Sequence, residues 1–236
     1  MEHYYTSSEN ITYPKLIITG GEAGHLSKVM RKAEGNDIYV TDGKGNLFAC
    51  VIESIKRNDI ICRITDKQIN INEPSVKLTA YFSLLKNPAR FEFAIEKLTE
   101  IGVYEIQPII TEHVISKGKD KSERWQAIAL SAMKQSQRCW LPKVNKPVGF
   151  KDAIESCKDE IKLIAHEKVD NFEFRISNFE FESKRSAAFF IGPEGGFTDE
   201  EIALAEKNGF IIISLGERKL RSETAAVAGA ALILSL

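Results

Sequence analysis

The pattern of apolar and polar residues changes near residue 70. Before that point, short runs rich in branched residues alternate with turn-forming clusters, a pattern typical of β-strands. It predicts strands over 15–19, 37–42, 47–55 and 60–65. Between the first two it predicts one short helix over 24–35, and the polar segment 66–77 is predicted to be a linker. Residues 1–70 are therefore predicted to form a small β-domain, a size at which β-barrels commonly bind RNA.

From residue 77 onward the pattern predicts strands that alternate with helices. The strands are predicted over 77–85, 104–110, 161–167, 187–192 and 210–216, and the helices over 88–101, 122–140, 199–208 and 222–236. Asn87 and Pro88 are suited to the N-cap and first position of the first helix, and Thr198 with Glu201 forms a capping box. The alternation predicts an α/β domain over 71–236, with a parallel sheet between helices.

Two loops in this second domain have the composition of a ligand site. Residues 192–196, Gly-Pro-Glu-Gly-Gly, join a buried strand to a helix, and the carboxyl ends of parallel strands are where ligands bind. A second loop precedes the last helix, and Arg221, Glu223 and Thr224 crowd that helix's entrance, where free N–H groups can hold polar ligands. The last helix is rich in Ala and Gly, which predicts close packing against its neighbours.

Composition argues against a secreted, membrane-spanning or metal-stabilised protein, and the charge distribution favours one that binds phosphate groups. The 236 residues have a formal net charge of −1, but residues 77–151 contain thirteen Lys and Arg against seven Asp and Glu. Such a basic segment favours a phosphate-binding surface. There is no signal-peptide pattern and no membrane-spanning run, and the four Cys and four His show no metal-ligand spacing. We expect a reduced cytoplasmic protein without a structural metal.

Two nucleotide-binding classes are disfavoured by missing motifs. The chain has no GK[ST] phosphate loop, and the turn after the first α/β strand, LLKNPARF, has no glycine for a dinucleotide fingerprint. A non-catalytic RNA-binding assembly factor remains open, since a β-domain and a basic surface would suffice.

Five motifs together resemble the RsmE family of the SPOUT superfamily. They are IGPEGGF (191–197), LRSETA (220–225), EKLTEIGV (96–103), RW (124–125) and KQSQR (134–138). The resemblance implies an N-terminal PUA-like β-barrel and a C-terminal SPOUT-type α/β domain with a deep trefoil knot. It also implies a homodimer that uses S-adenosyl-L-methionine to methylate a uridine N3 in 16S ribosomal RNA of the small subunit. A SPOUT enzyme that modifies another base or a ribose 2′-hydroxyl is the alternative.

The resemblance, the chemistry it implies and the charge pattern assign residues to three roles. The implied cofactor contacts are Gly192, Pro193, Glu194, Gly195, Gly196, Leu215, Gly216, Leu220, His166, Glu167 and Thr224. The implied catalytic residues are Arg221, then Arg138, with Glu223 as a proton acceptor or as a partner that fixes Arg221. Charge and helical spacing point to an RNA surface of Lys28, Arg31, Lys32, Lys86, Arg90, Lys119, Lys121, Arg124, Lys134 and Gln135. The chain has His113 where an arginine is common in the family, so we expect an altered RNA contact there.

Overall fold

The computed structural model describes residues 3–114, 121–167 and 185–235, and the chain divides into two compact units. The first unit contains the chain up to Glu73 together with Ser131–Leu141. The second contains Pro74–Leu130 and the chain from Pro142 onward. The domain boundary expected near residue 70 stays a prediction.

The first unit contains a six-stranded sheet. Its strands are β1 (His3–Tyr5), β2 (Ile11–Thr12), β3 (Lys15–Thr19), β4 (Asp37–Thr41), β5 (Asn46–Ile55) and β6 (Asp59–Ile69). They pair in the order β1-β4-β5-β6-β3-β2, antiparallel except for β1 with β4. Helix α1 (Gly20–Gly24) continues into a π-helical turn, His25–Val29. The buried side chains of Leu16, Ile18, Ile38, Ile52 and Ile60 form the core, because alternate strand residues point to the same face.

The second unit contains a seven-stranded sheet in which every pair is parallel. Its strands are β7 (Lys77–Ser83), β8 (Glu105–Ile110), β9 (Lys143–Val144), β10 (Val148–Gly149), β11 (Ile161–Ala165), β12 (Ser186–Ile191) and β13 (Ile211–Ile213). Its helices are α2 (Pro88–Glu100), α3 (Ser122–Gln135), α4 (Phe150–Ser156), α5 (Asp199–Lys207) and α6 (Ser222–Leu234), and the last residues of α3 are counted with the first unit. The predicted α/β class with a parallel sheet is confirmed.

Local capping signals set two of the helix starts, as the sequence predicted. The Asn87 side chain accepts a hydrogen bond from the Ala89 N–H at 3.0 Å, with Pro88 at the first helical position. Thr198 and Glu201 form the complete capping box at the start of α5.

Several predicted element bounds are wrong. The helix predicted over 24–35 occupies Gly20–Val29 instead, and the predicted linker begins inside β6, which extends to Ile69. Helix α3 ends at Gln135 rather than residue 140, because Gln137 adopts a left-handed backbone conformation with φ of 59°. The sequence did not predict β1, β2, β9, β10 or α4; strands of two or three residues carry little periodic signal.

The small residues of α6 pack closely against the sheet, as predicted. A Cβ atom at Gly229 would overlap the ring of Phe189, a fully buried residue of β12. Ala226 and Ala230, on the same face of α6, are also fully buried. This close approach explains why the helix is built from alanine and glycine rather than from larger apolar residues.

Candidate active site

A cavity of about 820 Å³ lies at the carboxyl-terminal edge of the parallel sheet. Its walls are formed by the chain segments that follow five strands: β7, β8, β11, β12 and β13. Its lining consists of Arg90, His113, Ala165–Glu167, Ile191–Glu200, Ser214–Gly216, Arg218–Ser222 and Ala225. A volume of this size suits a small-molecule ligand, and this edge of an open α/β sheet is where such ligands bind.

The first wall is the tight turn Gly192–Gly196. The Gly196 N–H donates to the Pro193 carbonyl at 3.0 Å, and Gly196 has a φ of 71°, in the left-handed region that favours glycine. A Cβ at Gly192 would lie 3.2 Å from the Gly196 carbonyl carbon. A Cβ at Gly195 would lie 3.0 Å from the Cβ of His113. The glycines are therefore required by close contacts as well as by backbone conformation.

The second wall runs from Ser214 to the entrance of α6. Arg221 is the N-cap residue of α6, and its carbonyl accepts the first helical hydrogen bond, from the Ala225 N–H at 2.8 Å. The side chain of Arg221 is exposed on the cavity wall, and among the described residues it has no hydrogen-bond or salt-bridge partner. It is a cation available to an anionic or electron-rich ligand.

Arg90, in the first turn of α2, connects the two walls. Its Nε and Nη2 donate to the two carboxylate oxygens of Glu223 at 2.8 and 2.5 Å. Its Nη1 donates to Glu194 Oε1 at 3.2 Å. Burial acts to raise the pKa of Glu223, but the hydrogen bonds from Arg90, a backbone hydrogen bond and the positive charges of Arg90 and Arg221 together outweigh it, so the pKa of this carboxyl lies below its usual range. Glu223 is therefore ionised near neutral pH and hydrogen-bonded to Arg90, while Arg221 stabilises it only through its charge.

Two histidines line the cavity as well. The Nδ1 of His113 lies 3.1 Å from the Gly196 carbonyl oxygen, so this nitrogen is the protonated one and donates to the loop. The His166 N–H donates to the Ile213 carbonyl at 3.0 Å, which joins the ends of β11 and β13. Beside it, Glu167 forms a salt bridge of 3.1 Å with Lys219.

The cavity brings together most of the residues that the resemblance assigned to the cofactor. Ten of them line it: Gly192, Pro193, Glu194, Gly195, Gly196, Leu215, Gly216, Leu220, His166 and Glu167. Thr224 is exposed and does not line the cavity. Arg221 lines the cavity, whereas Glu223 is buried, does not line the cavity and pairs with Arg90. The roles of these residues stay predictions.

Arg138, the second catalytic candidate, lies in the first unit and not in the cavity lining. It is 4% exposed, and its Nη2 donates to Glu73 Oε2 at 2.6 Å. The other oxygen of Glu73 accepts the N–H groups of Cys139 and Trp140 at 2.8 and 2.9 Å. The helix predicted over 122–140 would place Lys134, Gln135 and Arg138 on one side, but the helix ends at Gln135, before Arg138. The contacts of Arg138 within the described chain are those of a structural ion pair.

We expect Glu73→Ala to lower the free energy of unfolding by about 3–5 kcal/mol, because it leaves the buried Arg138 charge without its partner. Chemical denaturation followed by circular dichroism would measure the change. Glu53→Gln is the matched control: Glu53 pairs with Lys15 at the surface, where such pairs contribute about 0–1 kcal/mol. Equal stability losses in the two variants would contradict the structural role of the Arg138–Glu73 pair.

The residues predicted to contact RNA lie in both units. Lys28, Arg31, Lys32, Lys134 and Gln135 belong to the first unit, and Lys86, Arg90, Lys121 and Arg124 to the second, while Lys119 lies outside the described residues. Three of the cations already have carboxylate partners: Lys134 with Glu22, Arg124 with Glu92, and Arg90 as described. Lys28, Arg31 and Lys86 are exposed and form no salt bridge with any described residue.

Two residues that line the cavity, Arg90 and His113, were predicted to contact RNA instead. Arg90 was placed on the RNA surface, although a cation in the first turn of a helix opposes the helix dipole and signals nearby carboxylates. His113 was treated as an RNA contact, although the residue follows β8 at the edge of the sheet where ligands bind. Both signals were present in the sequence.

The fold and cavity define a class of protein: an α/β domain whose glycine-rich strand-end loops form one ligand cavity, preceded by a separate β-rich unit. Known sequence families fit both parts. The family described as "RNA methyltransferase domain" matches residues 72–234, and the "RNA methyltransferase PUA domain" matches residues 18–65. The second match confirms the predicted PUA character of the N-terminal part.

Individual relatives of the chain are RNA methyltransferases as well. The chain is 39% identical over 216 residues to the ribosomal RNA small subunit methyltransferase E of Mesomycoplasma hyopneumoniae, covering 89% of this chain and 90% of the relative. It is similar to the crystal structure of the Neisseria gonorrhoeae enzyme of that name bound to S-adenosyl methionine. The TM-score is 0.88 at 29% identity, covering 100% and 97% of the two chains. A Legionella pneumophila putative methyltransferase in complex with the same cofactor has a TM-score of 0.84 at 28% identity, covering 99% and 96%. The chain belongs to the ribosomal RNA small subunit methyltransferase E family of RNA methyltransferases.

Proposed function

We propose that this protein is an S-adenosylmethionine-dependent methyltransferase that modifies ribosomal RNA of the small subunit, at N3 of a uridine. The observation on which this depends is the single cavity formed by the Gly192–Gly196 turn and the entrance of α6. Family membership supports the methyltransferase activity, and the names of the relatives support the substrate. The choice of uridine N3 rests on the motif resemblance.

The residues of the cavity fit the proposed cofactor. Gly192, Gly195, Gly196 and Gly216 present main chain without side chains, and no described heavy atom lies within 4 Å of a Cβ built at Gly216. The carboxylates of Glu194 and Glu167 and the guanidinium groups of Arg218 and Arg221 supply both signs of charge, as a zwitterionic sulfonium compound requires. When bound, the cofactor supplies an activated methyl group. Gly192, Gly195 and Leu215 would hold it by backbone groups.

The protein's part in the reaction is mainly placement and charge stabilisation. Orienting the uridine nitrogen toward the methyl group can supply about 7–11 kcal/mol of the barrier reduction. Loss of the N3 proton spreads negative charge onto the flanking carbonyl oxygens, and Arg221, a cation in the cavity lining, is the residue to which we assign its stabilisation. Glu223 was expected either to accept this proton or to fix Arg221. Its two carboxylate oxygens already accept hydrogen bonds from Arg90, which makes it a weaker base for the proton.

The proposal includes four further properties implied by the family resemblance: a deep trefoil knot at the C-terminus, a homodimer, a cytoplasmic location and contact with 16S ribosomal RNA. No helix in the described part of the chain has the length and apolar character needed to cross a bilayer. Within the same residues no three His, Cys, Asp or Glu side chains are grouped to hold a metal ion. The reaction as proposed requires neither a membrane-spanning helix nor a metal ion.

The test of the proposed function is transfer of a labelled methyl group. Purified protein and labelled S-adenosylmethionine are incubated with small ribosomal subunits that lack the modification, and the labelled nucleoside is mapped by mass spectrometry. We expect label in N3-methyluridine of the small-subunit RNA. Label in another base or a ribose would replace the uridine assignment, and cofactor binding without transfer to any RNA would refute the substrate. Absence of cofactor binding would favour a non-catalytic assembly factor.

We expect the double variant Lys86→Glu and Lys121→Glu to weaken RNA binding and to reduce the slope of log affinity against log salt. The reduction should be about 1 for each RNA phosphate that the variant no longer binds. Both side chains are exposed on the second unit. Filter binding at several salt concentrations would measure the slope. Lys207→Glu, on the exposed side of α5, is the control and should leave it unchanged. Identical slopes in all three proteins would place the RNA surface elsewhere.

A further inference from the structure

We infer that Arg90 is a positioning residue that fixes the two walls of the cavity relative to each other. The inference rests on the proposed function and concerns how the same site is held in its active geometry. Arg90 contacts Glu194 in the glycine-rich turn and Glu223 at the start of α6, which are separated by 29 positions in the sequence.

The contact with Glu223 is the stronger of the two. It is bidentate, with distances of 2.8 and 2.5 Å, and the Glu223 side chain is 9% exposed. Planar pairing of this kind fixes orientation as well as distance, because a guanidinium matches both oxygens of a carboxylate. Glu223 is separated from Arg221 by one residue in the first turn of α6. Arg90 therefore determines where this turn, with Arg221 at its cap, meets α2.

Through its contact with Glu194, Arg90 also holds the other wall of the cavity, the Gly192–Gly196 turn. Glu194 is the only residue of the Gly192–Gly196 turn with an ionisable side chain, and its carboxylate is 3.2 Å from Arg90 Nη1. The remaining residues of this turn are three glycines and a proline, which provide no polar side chain to anchor it. This explains why a glutamate occurs among glycines: it joins the turn to a guanidinium already held by Glu223.

The position of Arg90 supports a functional interpretation. It lies in the first turn of α2, where the positive end of the helix dipole disfavours a cation. A second bidentate arginine–glutamate pair joins Glu92 of α2 to Arg124 of α3, and neither residue lines the cavity. The Arg90–Glu223 and Arg124–Glu92 pairs have the same chemistry, and both involve α2. The Arg124–Glu92 pair therefore serves as a structural control for the positioning role inferred for Arg90.

The test compares Arg90→Lys and Glu194→Gln with the control Glu92→Gln. Cofactor affinity is measured by calorimetry, and kcat and KM for RNA are measured separately. We expect Arg90→Lys to lower kcat by on the order of 100-fold, since misplacing a catalytic group by about 1 Å has that effect, while KM for RNA stays within a few-fold. Glu194→Gln should weaken cofactor binding, and the two changes together should cost less than the product of their separate effects, because they disrupt one network.

The outcomes separate this inference from the proposed function. Wild-type protein that binds no S-adenosylmethionine would overturn both. Wild-type protein that binds and transfers methyl groups, with Arg90→Lys unchanged in kcat and cofactor affinity, would overturn only the role of Arg90. Equal losses in Arg90→Lys and Glu92→Gln would overturn it too, because both pairs would then act through stability. Lysine retains the charge that the buried Glu223 needs, so this variant is suited to folding where Arg90→Ala is not.

Discussion

Replacing Arg221 with alanine should lower kcat for RNA methylation by about 10²–10³-fold, equivalent to ~2.7–4 kcal/mol of lost transition-state stabilisation. The reason is that Arg221 is a cation on the cavity wall whose guanidinium has no hydrogen-bond or salt-bridge partner among the described residues. Its charge is therefore available for the anion that forms when the uridine nitrogen loses its proton. The affinity for S-adenosylmethionine should change little. Single-turnover methylation and calorimetry measure the two quantities independently.

Two further variants test whether the effect belongs to the guanidinium at this position. Arg221→Lys should recover part of the lost rate, because it retains the charge without the planar donors. Arg185→Ala removes an exposed arginine that lies outside the cavity lining and should leave kcat unchanged. Wild-type turnover by Arg221→Ala would remove this residue from the mechanism, and reduced cofactor affinity would assign it to binding instead.

Gly195→Val should abolish measurable cofactor binding while the protein stays folded. A Cβ at this position would lie 3.0 Å from the Cβ of His113 and 3.3 Å from its Nδ1. The Cβ of His113 is attached directly to the backbone and cannot swing aside, so the two backbone segments have to move apart by a few tenths of an ångström, which strains the hydrogen bond from His113 to Gly196. That shift displaces the main chain at the place where the cofactor is proposed to bind. Calorimetry and thermal denaturation together would test the prediction.

The matched control is Gly24→Val. Gly24 lies in the helical segment of the first unit, has an ordinary helical φ of −63°, and has no described atom within 4 Å of an added Cβ. This variant should bind the cofactor with wild-type affinity. Unchanged affinity in Gly195→Val would refute the assignment of the Gly192–Gly196 turn to the cofactor. A large loss of thermal stability in Gly195→Val would instead assign the glycine to folding.

The site could be predicted from sequence where its chemistry is local. The glycines of 192–196 and the capping box of Thr198 and Glu201 are adjacent in the chain, and the motif identifies both the turn and the helix that follows. Arg221 could be placed at a helix entrance for the same reason. Contacts between distant residues could not be predicted. Nothing local in the sequence indicates that Glu73, 65 residues before Arg138, is its partner.

By itself the sequence determined the α/β alternation, the parallel sheet, the helix caps and the two loops that form the cavity, since periodicity and turn chemistry are properties of neighbouring residues. Only the tertiary structure decided which charges are paired. Arg90, Glu194 and Glu223 meet because parallel strands bring their carboxyl-terminal loops to one edge, although 133 positions separate the first from the last. Pairing of charges depends on distance in space, and the sequence encodes that distance only through the complete fold.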